Sequence, residues 1–168
     1  ANSAAAHTKL FEKLTDYYFT GGMPEAVFTW FESKDKSILE RIEAVSKIHT
    51  DLISGYCRDF GKYSGKVDAT LIETIFRSVP SQLSSVMDES VKRFKFKNVH
   101  PRKSRYQEFE GGINWLKNCR LILKNSPIEG RPRSPLGAYQ KDNMVKLFLM
   151  DTGLSNHMLN TSYREIKQ

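Results

Sequence analysis

The chain has 168 residues, of which 39% are hydrophobic and 27% charged, enough for one medium domain or two very small ones with a packed core. No apolar run approaches the ~18 residues of a membrane helix, no basic-then-apolar leader opens the sequence, and two cysteines are too few for a disulfide framework, which excludes a membrane-spanning or secreted disulfide-rich protein and predicts a cytoplasmic one. The net charge of +7 is uneven, with 10 Lys/Arg against 13 Asp/Glu over residues 1–91 and 14 against 4 over residues 92–146, an asymmetry that points to a polyanionic partner for the second segment.

The first ninety residues read as helices. Leu10, Phe11, Leu14, Tyr17 and Tyr18 recur at helical spacing and form one apolar stripe of the kind that faces a core. Gly21-Gly22 stops this helix, and Pro24 suits the first turn of the next, which carries Val27, Phe28 and Phe31. A longer helix is predicted over 35–60, with Asp35 as its cap and Ile38, Leu39, Ile42, Val45, Leu52, Ile53, Tyr56 and Phe60 on its buried face. The small, turn-forming residues of 61–65 end it. Residues 1–67 therefore read as a helical subdomain.

The next segment changes style. Over 68–78, Leu71, Ile72, Ile75 and Phe76 share one helical face, and Thr70 with Glu73 forms a capping-box pair. Pro80 restarts a short helix through Leu83 and Val86. Apolar and basic residues then alternate with period two over 94–99, as in a half-exposed strand. Ser104 and Gln107 form a second capping-box pair, opening a helix whose inner face is Tyr106, Phe109, Ile113 and Leu116. Strands at 121–123 and 145–150 flank a loop containing Pro127, Gly130, Pro132, Pro135 and Gly137. Helix, helix, strand, helix, strand, loop, strand is the order of a winged-helix domain, with 104–116 in the recognition-helix position and 121–150 as the wing. The expected fold is mainly α: a helical lid-like subdomain at 1–67, then a winged-helix domain with a small β-wing at 68–154. Residues 155–168 open a following segment that looks cut short.

A phosphate-binding loop needs G-x-x-x-x-G-K followed by Ser or Thr, so that amides and Lys cradle phosphates while a hydroxyl meets Mg²⁺. Gly61 to Gly65-Lys66 has three intervening residues and is followed by Val67; Gly55 to Gly61-Lys62 has five and is followed by Tyr63. Neither is a P-loop. His7, His49, His100 and His157 lack metal-ligand spacing and read as surface or satisfied core histidines. Cys119, beside an apolar helix end, reads as a buried small hydrophobe, and no base pairs with it or with Cys57. Acid pairs such as Asp88-Glu89 and Glu108/Glu110 read as solvated charges. On these residues the chain shows no catalytic constellation or metal set, reads as no enzyme on its own, and is expected to hold no cofactor by itself.

The cations are more informative. Lys92, Arg93, Lys95, Lys97, Arg102, Lys103 and Arg105 gather around the expected strand and the start of the recognition helix, and Arg131 and Arg133 sit in the wing loop. In a DNA-binding winged helix such charges contact phosphates. Glu108 and Glu110 oppose that reading, because they would face phosphates. Gly111-Gly112 costs a helix ~1 kcal/mol per glycine relative to alanine, which suggests close packing against another backbone. A protein-facing winged helix fits better than a DNA-facing one.

Seven motifs in order carry a resemblance: GGMPEAV at 21–27, YCRDFGKYSG at 56–65, SVPSQLSS at 78–85, KFKNV at 95–99, WLKNCRLILK at 115–124, SPLGAY at 134–139 and KLFLMDTGL at 146–154. Together they resemble the domain of unknown function that follows the ATPase core in bacterial and archaeal AAA-type, STAND-like ATPases. The resemblance implies a P-loop core upstream that binds ATP and Mg²⁺, a GG-x-P motif opening a helical lid beside the nucleotide, a winged helix, and commonly a nuclease-like domain downstream. It implies that Gly22 and Pro24 approach the adenine; from the residues alone, 21–24 reads equally as a plain helix-turn-helix corner. Arg58 and Asp59 form a helix-end polar pair that could face the core. The function expected is a lid and winged-helix portion that couples nucleotide state to a DNA or protein partner, with the upstream core of the same polypeptide as its first partner and no membrane involved. A stand-alone DNA-binding winged helix and a structural or oligomerisation domain are the competing classes.

Overall fold

A computed structural model of the chain describes residues 2–84, 93–128, 130–131, 133–139 and 144–167. Among these, seven α-helices and one two-stranded antiparallel sheet make a mainly helical protein. The chain packs as two units: Ala1–Cys57 together with Asp151–Gln168, and Arg58–Met150. No helix among the described residues is long and apolar enough to cross a membrane.

In the first unit, α1 (Asn2–Thr20) stops at Gly21, whose φ of +67° takes the left-handed conformation that glycine adopts without strain. The Gly21 amide closes the turn by donating to the Tyr17 carbonyl at 2.8 Å. Pro24 opens α2 (Pro24–Glu32) at its first position, where a missing N–H is harmless. The side that α2 buries is Ala26 and Trp30, while Phe28 is exposed. Trp30 is 1% exposed and packs on Phe19 and Tyr163, with ring centroids 5.4 and 5.2 Å away. The Arg41 guanidinium lies over its other face at 4.0 Å and donates to the Trp30 carbonyl at 2.8 Å.

Two expectations for this unit change. The stripe on α1 is not buried: Leu10 is 70% and Phe11 60% exposed, and Leu14, Tyr17 and Tyr18 are exposed as well. The inward side carries Thr15, Phe19 and Thr20 instead: Phe19 packs on Trp30 and Tyr163, and the Thr20 end of α1 lies close against Gly153 of α6 (Thr152–Met158). The cap of α3 (Ile38–Tyr63) is Ser37 rather than Asp35. Glu40 receives the Ser37 amide at 2.9 Å and its hydroxyl at 2.7 Å, and the Glu40 amide reaches back to the Ser37 hydroxyl at 3.3 Å, a reciprocal capping box. These bonds hold the Glu40 carboxyl below its ordinary pKa. Val45 and Ile53 of the expected α3 face are buried, Ile42, Leu52 and Tyr56 are half-buried, and Ile38 and Leu39 are exposed. A short α7 (Tyr163–Ile166) completes the unit. The Tyr163 hydroxyl donates to Asp16 at 3.0 Å, and burial, then this bond, push its pKa up to about 12.

In the second unit, α4 (Ala69–Ser84) buries Leu71, Ile72, Ile75 and Phe76, as its periodicity predicts. Its cap is Asp68, whose carboxylate receives the Thr70 amide at 2.9 Å. Glu73 pairs with Arg77 at 2.7 Å rather than closing a box with Thr70. Pro80 does not restart a helix: α4 runs through it to Ser84, with Val79 and Pro80 both buried in the packed face. Val86 lies outside the described residues. Phe60, from the last turns of α3, meets Phe76 and Trp115 edge-on at 5.4 and 5.6 Å.

Helix α5 (Tyr106–Asn118) buries its expected face, Tyr106, Phe109, Ile113 and Leu116. Gly112 serves side-chain packing and not a second backbone: a Cβ there would lie 2.7 Å from Cδ1 of Ile75, while Gly111 faces open space. Cys119 caps the C-terminus of α5 and is exposed, not a buried hydrophobe. Strands β1 (Ile122–Asn125) and β2 (Lys146–Leu149) pair with Ile122 opposite Leu149 and Asn125 opposite Lys146. A short 3₁₀ turn (Leu136–Tyr139) sits in the connection between them. Residues 93–96 are extended but form no strand of the sheet; their tie to it is the Phe94 amide donating to the Val145 carbonyl at 2.7 Å.

Candidate functional site

The GG-x-P corner of the first unit is built by two motifs 129 residues apart. Asp151 begins α6 with its Oδ1 receiving the Leu154 amide at 2.9 Å, a helix N-cap, while its Oδ2 receives the Gly22 amide at 2.6 Å. The bond to Gly22 is short, as a charge-assisted bond should be. Asp151 is only 6% exposed, so both carboxylate oxygens do this work largely out of water. The corner needs two glycines for space. A Cβ on Gly21 would lie 2.1 Å from Asp151 Oδ1, and one on Gly153 would lie 2.5 Å from the Gly21 nitrogen and 2.6 Å from the Thr20 carbonyl carbon. Gly22 itself has room for a side chain, since its nearest neighbour would be Asp151 Oδ2 at 3.7 Å.

Behind the corner stand two histidines. His49 of α3 is 1% exposed, and its Nε2 lies 3.1 Å from the Thr20 carbonyl, a satisfied core histidine with the proton on Nε2. His157 of α6 meets it edge-on at 5.5 Å and places its Nε2 3.0 Å from the Thr50 hydroxyl. Burial lowers the His49 pKa, against the opposing pull of the Thr20 carbonyl and the Asp151 charge. Burial and the neighbouring His49 lower that of His157. Below the ordinary histidine value of 6.5 the unfolded chain takes up protons that the fold refuses, so stability present above that value is lost as pH falls through it toward the folded pKa values. A melting series should therefore show the chain losing stability below about pH 6.5, and His49→Gln should flatten that loss. An unchanged profile would contradict the role given to His49.

A cleft of about 450 Å³ opens beside these histidines, lined by Phe19, Ile42, His49, His157, Tyr163 and Arg164 among others. Gly22 and Pro24 do not line it. Pro24 presents an exposed ring at the start of α2. Gly22 is exposed too, but its amide is already engaged by Asp151, so toward an adenine Gly22 offers a bare Cα surface and no hydrogen-bond donor.

The cations lie in the second unit, which carries 18 Lys/Arg against 9 Asp/Glu. Lys95 and Lys97 are brought together with Arg93 along one groove of about 330 Å³, whose other wall is Ser78, Ser81 and Asn98. Of the strand expected over 94–99 the alternation holds as far as Lys97, where a turn begins: Lys95 and Lys97 are exposed, as is Arg93 ahead of them, Phe94 is buried, and Phe96 packs on Tyr106 and Phe109 at 5.8 and 5.2 Å. Gln82 fixes the register, its side-chain amide donating to the Lys95 carbonyl at 3.0 Å and its oxygen receiving the Lys95 amide at 2.7 Å.

The remaining cations are placed differently. Arg102 is exposed in the turn after Asn98, its amide 3.3 Å from His100 Nδ1. Lys103 and Arg105 lie beside Glu108, which is not a free solvated charge. Its carboxylate receives the Ser104 and Arg105 amides, both at 2.9 Å, and so closes the start of α5 in the place expected of Ser104 and Gln107. Those two bonds, and then the charges of Arg105 and Lys103, lower the Glu108 pKa. Arg131 and Arg133 are exposed in the β1–β2 connection, and Lys92 lies outside the described residues. Asp151 and Gln82 are the residues that sequence reasoning missed, whereas His49 is the satisfied core histidine that it allowed. A polar residue just before a short helix, as in Asp151-Thr152-Gly153-Leu154, is the signal that could have exposed the first as a cap; nothing local marks the second.

No curated protein and no solved structure matches the chain. A family model does match, over residues 11–165, a span that takes in the GG corner, its Asp151 anchor and the basic groove: the chain belongs to the DUF8612 family, a domain of unknown function.

Proposed function

We propose that the chain is the lid and winged-helix portion of a AAA-type, STAND-like ATPase, and that it couples the nucleotide state of an upstream core to a partner. The observation that carries the reading is the uncovered apolar face of the first unit, where Leu10, Phe11, Leu14, Tyr17 and Tyr18 of α1 stand exposed with Phe28 of α2. A run of exposed aromatic and aliphatic side chains on one helix marks a surface built to meet another protein surface. An ATPase core supplied by the same polypeptide is the partner that the ordered motifs imply. ATP and Mg²⁺ would be held by that core, and Pro24 would add a rigid apolar contact at the rim. The second unit, with α4, α5, the β1–β2 pair and its connection, is the output element in this reading.

The reading is tested on the polypeptide that carries this chain behind an ATPase core, by calorimetric titration of ATP. Leu14→Lys should uncouple the first unit from the core and change ATP affinity, because an ammonium in an apolar contact costs several kcal/mol unless it finds a partner. Pro24→Ala should weaken ATP binding by a smaller amount. ATP affinity unchanged by both substitutions would overturn the proposal.

A further inference from the structure

Three of the eighteen cations of the second unit, Arg93, Lys95 and Lys97, line one groove. Lys103 and Arg105 sit beside the Glu108 carboxylate, which receives the Ser104 and Arg105 amides just ahead of α5. Arg93, Lys95 and Lys97, by contrast, pair with no carboxylate among the described residues. They stand at every second residue and are all exposed, Arg93 and Lys95 ahead of, and Lys97 within, the turn that the Val99 amide closes on the Phe96 carbonyl. The backbone beneath them is held at three points: the Gln82 clamp, the Phe94 bond to Val145, and the aromatic floor of Phe96, Tyr106 and Phe109.

We infer that this segment is a phosphate rail. Arg93, Lys95 and Lys97, with Asn98 at the end of the groove, contact the sugar–phosphate backbone of a duplex nucleic acid, and α5 does not enter a groove to read bases. The lining chemistry is that of backbone contacts, which come from Arg, Lys and small polar side chains and carry no sequence information. A duplex fits better than a single strand, because the phenylalanines interleaved with the cations pack inward on each other and on Phe109, which leaves no ring beside the cations, among the described residues, on which an unpaired base could stack. It fits better than an anionic membrane, because Val99 is the one apolar residue lining the groove among the described residues, too little to insert between lipids. The inference deepens the partner half of the proposed function and rests on the surface of this chain alone.

The test is anisotropy of a labelled random-sequence duplex titrated with this chain. Three phosphate contacts give a log–log salt slope of about −2.7, so affinity should fall about 40-fold between ~50 and ~200 mM salt. Removing one contact with Lys95→Ala or Lys97→Ala should leave a slope of about −1.8 and a fall of about 12-fold. Gln82→Ala changes no charge, yet it should weaken binding by freeing the rail; circular dichroism on the same sample checks that the fold is kept. Lys103→Ala, Arg131→Ala and Arg133→Ala should leave the slope as it is, and scrambling the duplex sequence should change nothing. Four results would overturn the inference: no duplex binding at low salt, a slope that the Lys95 and Lys97 variants leave alone, tighter binding to a single strand, or binding to phosphatidylserine vesicles without binding to duplex. If ATP titration of the parent fails while Lys97→Ala lowers the salt slope of duplex binding as expected, the ATPase reading falls and the rail stands.

Discussion

Replacing Gly153 with valine should lower the stability of the chain by more than about 3 kcal/mol, an overpacking penalty at the upper end of the usual range. The reason is the identity of the atoms in the way. Cβ at Gly153 would meet the Gly21 nitrogen at 2.5 Å and the Thr20 carbonyl carbon and oxygen at 2.6 and 2.7 Å, all main-chain atoms that no rotamer change can move aside. Relief requires α1 and α6 to part, and parting them breaks the Asp151 bond to Gly22 and exposes the Thr20 carbonyl that His49 meets. Gly112→Val is the internal comparison, since its Cβ would first meet Ile75 Cδ1, the flexible end of a side chain. Urea unfolding of the two variants should rank Gly153 well above Gly112; a Gly153→Val cost under about 1 kcal/mol would contradict the close approach of the two helices.

Asp151→Ala should cost about 2 kcal/mol. About 1 kcal/mol of this is the lost N-cap of α6, and the remainder is the Gly22 amide and its neighbours left without their charged acceptor. Asp151→Asn should cost less, because asparagine caps helices as well as aspartate does and still accepts one bond, but it loses the charge assistance at Gly22. If alanine and asparagine proved equally harmless, the carboxylate would not be what holds the corner. In the proposed ATPase the same substitutions would loosen the element that carries Pro24, so they should act on ATP affinity together with stability.

Much of the helix content was legible because periodicity is local. Leu71, Ile72, Ile75 and Phe76 lie on one face of α4 and are all buried, and the inner face of α5 matches its pattern residue for residue. Caps were less legible, for a simple reason: several polar residues compete within a turn. Asp35 and Ser37 both precede α3, and only the geometry of Glu40 decides for Ser37. At α5, Glu108 sits next to Gln107 and takes the amides first. Pro80 misled because burial of a whole face can carry a helix through a proline that a sequence reads as a break. The stripe on α1 shows the limit of the amphipathic argument. It states that one face is apolar and leaves open whether this chain or another surface covers it.

The candidate site was only half legible. The alternation of 93–97 marked the cations that line one groove, but nothing in the sequence announced that Gln82 would grip Lys95. GG-x-P and D-T-G-L were recognisable as separate motifs, and their meeting is a property of the fold, because a bond spanning 129 residues leaves no local trace.

That bond is the hinge of the account, and amide hydrogen exchange at Gly22 tests it directly. Gly22 is exposed and stands outside any helix, so without a partner its amide would exchange like that of an open loop. With Asp151 Oδ2 at 2.6 Å, the Gly22 amide should be protected in the wild-type chain and lose that protection in Asp151→Ala while Val45 and Phe19 in the same unit keep theirs. Rapid exchange at Gly22 in the wild type, or protection that survives removal of Asp151, would mean that the corner is not held as described, and the case for a lid built on it would fall.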